Sequence, residues 1–354
     1  MKHALRVLVG DNARKQIANN GFAADDFKVL VGASGGPKWF VLAHIDQFLA
    51  EDYFKDRQTP LHLLGSSAGA FRFSCLAQHN APAVTRRFLD GYTRLTYPEN
   101  ASTKQITEIS QQLLDHVFDD TSVDQILNHP YMRLNVIAAR AKHLNASERR
   151  AIQMLGLGLT ASANMVSRRF LGGFFERTIF YHPKDQADFL SAKDLPTQRV
   201  QLTQQNLISA VMASGSIPLV MEGIRNIKGA RPGNYRDGGI TDYHFDMPFT
   251  EKGLVLYPHF SHRTIPGWFD KSLRWRKPSP ENFSNVVLLA PSEDFIRRLP
   301  YGKIPDRKDF QALEDKERLK VWQRAIAESE LLRDELATLL NSPDKLQNVM
   351  EPLY

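Results

Sequence analysis

One cysteine, Cys75, is all the chain contains, so no internal disulfide can form and packing alone must hold the fold. No apolar run reaches membrane-spanning length. The uncharged stretch of residues 151–167 is interrupted by Gln, Thr, Ser and Asn. Zinc-ligand spacing, heptads, internal repeats and low-complexity linkers are all missing, and no metal or cofactor is expected. A net charge of +6 is modest for 354 residues and comes with no basic–aromatic RNA motif, so no nucleic-acid partner is expected. The first ten residues set an arginine inside a short apolar run and lack a small-residue cleavage site, which does not read as a secretion signal. These absences point to a cytoplasmic globular protein, long enough for one large core with an appended piece.

What is present begins with residues 61–70, Leu-His-Leu-Leu-Gly-Ser-Ser-Ala-Gly-Ala. A short apolar run of strand length leads into Gly-x-Ser-x-Gly and then into a helical pattern over 71–78. A serine flanked by small residues at a strand-to-helix corner is the nucleophile-elbow pattern. The turn is tight enough to strain Ser67 and to exclude a side chain at Gly65 or Gly69. Its hydroxyl would stand at the carboxyl edge of a sheet, over the positive end of the next helix. The competing reading is a plain small-residue turn.

Upstream, an apolar strand at 27–31 runs into Gly32-Ala33-Ser34-Gly35-Gly36-Pro37-Lys38. Pro37 suits the first position of a helix predicted to reach about residue 52. Strand, glycine turn, helix and strand make a βαβ unit, hence a parallel sheet with a right-handed crossover. Backbone N–H groups of such a glycine loop can stabilise an oxyanion. A phosphate cradle fits less well, because neither G-x-G-x-x-G nor Walker spacing is present. Further along, Asp237-Gly238-Gly239 offers a carboxylate beside two residues without side chains, although Asp-Gly also marks an ordinary turn. Ala213-Ser214-Gly215-Ser216-Ile217-Pro218 reads by itself only as a helix end.

Further helices are expected over 12–19, 81–95, 103–118, 122–128, 151–167 and 206–213, with strands over 134–138, 177–181, 254–257 and 286–289. Residues 311–340 form a long amphipathic stretch suited to packing over the core or over an oligomer partner.

Taken in order, Ser34-Gly35-Gly36-Pro37-Lys38, Gly65 to Gly69, Ala213 to Pro218 and Asp237-Gly238-Gly239 resemble the patatin-like phospholipases, a family of lipid acyl hydrolases. The resemblance spans roughly residues 27–250. It implies a three-layer α/β/α sandwich with a mostly parallel central sheet. The chain would be one domain, 1–354, with a core over about 27–295 and a C-terminal helical extension over about 304–342. It also implies a Ser–Asp dyad of Ser67 and Asp237, an oxyanion hole at Gly35 and Gly36, and supporting roles for Lys38, Gly65, Gly69, Gly238 and Gly239. Two departures bear on the oxyanion loop. Ser34 stands where the family usually begins with Gly, and Trp39 where it usually ends with Gly.

The dyad reading implies acyl-enzyme hydrolysis of a lipid or other acyl ester. One rival is an α/β-hydrolase triad, for which His244, His259 and His262 are available. Another is a non-catalytic lipid-binding protein on the same fold. Between His262 and Lys308 ten Lys and Arg face five Asp and Glu, with Trp268, Phe269 and Trp275 interleaved. That mixture suits peripheral contact with an anionic membrane, or else a solvated rim. Acyl-chain preference and oligomeric state are left open.

Overall fold

Short runs of Val, Leu and Phe, closed by Gly, Pro or a polar turn, form β-strands at 5–9, 27–32, 61–66, 254–258 and 286–291. In the computed structural model, residues 3–249 and 253–354 are described. Eleven strands among them build one sheet: β1 (Leu5–Val9), β2 (Phe27–Gly32), β3 (Leu61–Ser66), β4 (Met132–Ala141), β5 (Phe175–Tyr181), β6 (Thr197–Gln201), β7 (Ile224–Arg225), β8 (Asn234–Asp237), β9 (Leu254–Pro258), β10 (Val286–Pro291) and β11 (Met350–Pro352). The order is β11-β1-β10-β9-β2-β3-β4-β5-β6, with β8 paired to β4 and β7 to β8. The centre, from β10 through β9, β2 and β3 to β4, is parallel. Antiparallel pairs occur at β1–β10, β4–β5, β4–β8 and β7–β8. Successive residues of β2, β3 and β10 are buried, so both faces of the sheet are covered, as parallel sheets require. The expected mixed α/β fold with a mostly parallel sheet is what forms.

Several expectations need amendment. The helix after the glycine turn is a 3-10 stretch Gly36–Leu42, an α-helical stretch Ala43–Phe48 and a π turn Leu49–Tyr53. Its consecutive bulky residues divide between two cores. Val41, Leu42 and Ile45 join the main one, while Trp39 and Phe40 join a second with Phe88 and Trp322. The amphipathic stretch breaks at Ser329 into Asp315–Glu328 and Glu330–Leu340. Trp322 of the first helix and Leu332 and Leu336 of the second are buried in those cores, so the stretch packs on its own chain. The core also extends past the expected 27–295 at both ends: β1 joins the sheet, and β11 pairs in parallel with β1.

Two glycines hold the elbow against the sheet. A Cβ on Gly69 would lie 1.8 Å from the Gly32 carbonyl oxygen of β2, and one on Gly65 would lie 2.6 Å from the Ala70 nitrogen. Helix Ala68–Leu76 can therefore approach β2 and β3 only where no side chain intervenes. Cys75, on that same helix, is 1% exposed. Gly69→Ala is expected to cost about 3 kcal/mol or more through forced separation of helix and strand. Gly158→Ala, in the helix Arg150–Val166 where a Cβ meets nothing within 4 Å, should instead gain about 0.5–1 kcal/mol. Urea melts of the two variants beside the parent check both signs.

Candidate active site

The site is assembled on one flank of β4. There β3 pairs with the first part of the strand, as far as Ser66 opposite Ile137. β8 arrives from the other direction and pairs with the remainder, starting at Asp237 opposite Ala138. The two strands thus meet end to end, and the residues at their tips become neighbours. Ser67 Oγ donates to Asp237 Oδ2 at 2.7 Å, although the two lie 170 positions apart in the chain.

Ser67 adopts φ 52°, ψ −122°, a left-handed conformation that a non-glycine residue holds only under constraint. The constraint is visible. Ser214 Oγ accepts from the Ser67 backbone N–H at 2.8 Å and donates to the Ile137 carbonyl at 2.6 Å, tying the elbow to β4. Sequence reasoning gave Ser214 no role of its own. Its position at the end of helix Leu207–Ser214 was the available signal, and only the fold brings it to the elbow.

Asp237 is nearly buried, 8% exposed. Its Oδ1 accepts from the Gly239 N–H at 2.7 Å, and its own N–H donates to the Ser216 carbonyl at 2.9 Å. Desolvation pushes its carboxyl above the ordinary range, against the Ser67 hydroxyl, Arg307, the Gly239 amide and Lys271, which favour the anion. Gly238 and Gly239 leave space for this packing. A Cβ on Gly238 would lie 2.2 Å from the Ile137 oxygen, and one on Gly239 2.6 Å from Ser34 Oγ.

A pocket of about 210 Å³ opens over the pair, lined among others by Ser34, Gly35, Lys38, Ser67, Pro218, Asp237, Tyr243, Trp268, Lys271 and Arg307. The amides of Gly35 and Gly36 donate to no acceptor among the described residues. Gly36 takes φ +55°, and space for a Cβ there ends at the Arg307 guanidinium. Ser34, the first departure from the family pattern, shares a hydrogen bond of 2.9 Å with Ser66 Oγ beneath the loop. Trp39, the second, is away from the pocket, stacked on Phe88 at 5.1 Å. Lys38 points its ammonium toward the Phe260 ring, and burial lowers its pKa. Lys271 lies 3.9 Å from the centre of the Tyr243 ring. It keeps contact with solvent, yet the surrounding protein, followed by the charges of Lys38 and Arg307, pulls it down to about 7. The lining thus carries Lys38, Lys271, Arg307 and Lys308 against Asp237 and Asp306.

The histidines lie elsewhere. None lines the pocket that holds Ser67 and Asp237. His244 lines an adjoining cavity of about 450 Å³, where its Nδ1 accepts from the Ile265 N–H at 2.9 Å. His259 is fully buried against it, and desolvation lowers both imidazoles. Of the aromatic trio read as lipid-facing, Trp268 lines the pocket and Phe269 is half-buried, so only Trp275 is well exposed. No group of three or more His, Cys, Asp or Glu among the described residues is arranged to hold a metal.

No protein-family model matches this chain, and no curated protein does. Among solved structures, that of VipD from Legionella pneumophila is similar at 13% identity, over 99% of this chain and 75% of that one, with a TM-score of 0.36. A likeness that loose carries nothing to the site.

The buried carboxylate gives a pH-dependent signature. A group whose pKa is raised by folding stabilises the native state while protonated, and that contribution is lost as the pH climbs through the folded value. Asp237→Asn is therefore expected to melt at a higher temperature than the parent at neutral pH, with the gap closing as pH falls toward the ordinary carboxylate range. Melting curves of both proteins across pH 4–8 test this; a parent that melts higher at neutral pH would refute it.

Proposed function

We propose that the chain is a serine ester hydrolase of the patatin-like kind, cleaving acyl esters of lipids through an acyl-enzyme on Ser67 with Asp237 as general base. The observation that carries this reading is the 2.7 Å hydrogen bond from the Ser67 hydroxyl to a buried carboxylate inside a pocket without histidine. In the first step the Ser67 proton passes to Asp237 Oδ2 as Oγ attacks the ester carbonyl. The negative oxygen so formed turns toward the free amides of Gly35 and Gly36. Ser67 has already committed its own N–H to Ser214, so the glycine loop is the source of donors. The tetrahedral species then collapses, and Asp237 returns its proton to the leaving alcohol. Water repeats the sequence on the acyl-enzyme, releasing the acid.

A carboxylate is a weak base for a serine hydroxyl, with an unperturbed pKa of roughly 4. Desolvation of Asp237 narrows that gap from one side. On the other, the Ser67 alkoxide develops at the N-terminus of helix Ala68–Leu76. The four basic side chains around the pocket favour substrates with a negative group beside the ester, as in an anionic lipid headgroup.

Ser67→Ala should lower turnover of a p-nitrophenyl ester by about 10⁴-fold or more and abolish labelling by a fluorophosphonate, with an unchanged circular dichroism spectrum. Retained turnover in the pure variant would sink the assignment. Asp237→Asn should be similarly inactive. His244→Gln, His259→Gln and His262→Gln should each stay within about tenfold of the parent, equivalent to ~1.4 kcal/mol on the barrier. A histidine variant that folds normally but is as dead as Ser67→Ala would point to a triad.

A further inference from the structure

The helix Arg150–Val166 turns its apolar side outward. Three of its polar side chains, with Leu157, point into the protein. Gln153 accepts from the Leu219 N–H at 2.8 Å, Thr160 accepts from Asn145 at 2.9 Å, and Asn164 donates to Asp270 at 2.7 Å. The solvent side carries Met154, Leu155, Leu159, Met165 and Val166, the last 77% exposed, and Phe170 continues it past the helix end. At the last turn, Arg276 donates to the carbonyls of Asn164 and Met165, which brings the neighbouring Trp275, 67% exposed, to that end. No charge interrupts residues 151–167. A contiguous exposed apolar surface of this kind marks an interaction face.

We propose that this face docks on the surface of an anionic lipid bilayer and lays the pocket mouth against it. The charge around the face selects that partner. Arg149, Arg150, Arg169, Arg274 and Lys277 are exposed at its two ends. The one acid within residues 144–170, Glu148, is bound to Arg236. Exposed apolar side chains rimmed by Arg and Lys suit an interface with negative headgroups. Two copies of the chain meeting through the same face would oppose rims of one sign, which disfavours self-association. The inward hydrogen bonds fix the helix lengthwise on the protein, so it lies flat on the bilayer rather than crossing it. Its anchors are chain neighbours of the site. Leu219 follows Pro218 of the pocket lining, and Asp270 sits between Trp268 and Lys271 of the same lining.

The test needs no turnover, so its result is separable from that of the hydrolase reading. The full chain is sedimented with vesicles of phosphatidylcholine alone and of phosphatidylcholine mixed with phosphatidylglycerol, and its mass in solution is measured by light scattering. The parent and Ser67→Ala should both sediment with the mixed vesicles, weakly with the neutral ones, and less as salt is raised. Leu155→Glu combined with Val166→Glu, both at exposed positions, should reduce the bound fraction by about tenfold or more while the melting temperature holds. Arg149→Gln combined with Arg169→Gln should remove the preference for the anionic lipid, a readout independent of the first variant. Negligible binding of the parent to either vesicle, equal binding by parent and glutamate variant, or a dimer that the glutamate variant dissolves would each overturn the proposal.

Discussion

Strand β4 is longer than its neighbour β3, and the site depends on that difference. Where β3 stops, β4 still offers unpaired backbone on the same flank, and β8 fills it from the opposite direction. Hydrogen-bond register on one shared strand therefore fixes the distance between Ser67 and Asp237, with no flexible loop in between. A ladder register is a discrete quantity, and a slip by one residue would turn either side chain to the other face of the sheet. Ser214 then joins the elbow to the same strand through Ile137, so three segments remote in sequence are gauged from two adjacent residues of β4.

That arrangement places a carboxylate out of water, at a cost to stability unless it is well solvated by the protein. Asp237 has two short hydrogen bonds, one to each oxygen, and basic side chains at longer range. The compensation is incomplete, and its pKa stays raised. In the proposed mechanism the same incompleteness makes the group a better base, which would set stability against reactivity at one side chain.

The parallel centre of the sheet was legible in the sequence because its strands are apolar on both faces, and the elbow was legible because its glycines are sterically compelled. β8 was not. Asn234, Tyr235, Arg236 and Asp237 contain no aliphatic residue, and between Gly233 and Gly238 they read as a turn. They are nonetheless all buried, held by specific polar bonds: Asn234 donates to Glu148, and Arg236 to both Glu148 and the Met221 carbonyl, while Asn234 Oδ1 and Arg236 Nε are left without a partner. Hydrophobic periodicity is blind to a strand held by specific polar bonds. The exposed side of residues 150–166 was hidden for a related reason. Apolar residues at helical spacing signal amphipathicity without saying which side faces the core, and here the inward side carries Gln153, Thr160 and Asn164 beside Leu157.

Cys75 lies within helix Ala68–Leu76, which begins directly after the elbow serine, and burial pushes its thiol far from the reactive thiolate form. It belongs to the second core, with Trp39, Val84 and Phe88, so an alkylating reagent meets it only when that core opens around the helix. As the single thiol of the chain it serves as an internal clock. The rate at which it is modified under native conditions counts the openings of the core packed over the helix on which the strained serine depends, with no contribution from fraying at distant ends of the chain.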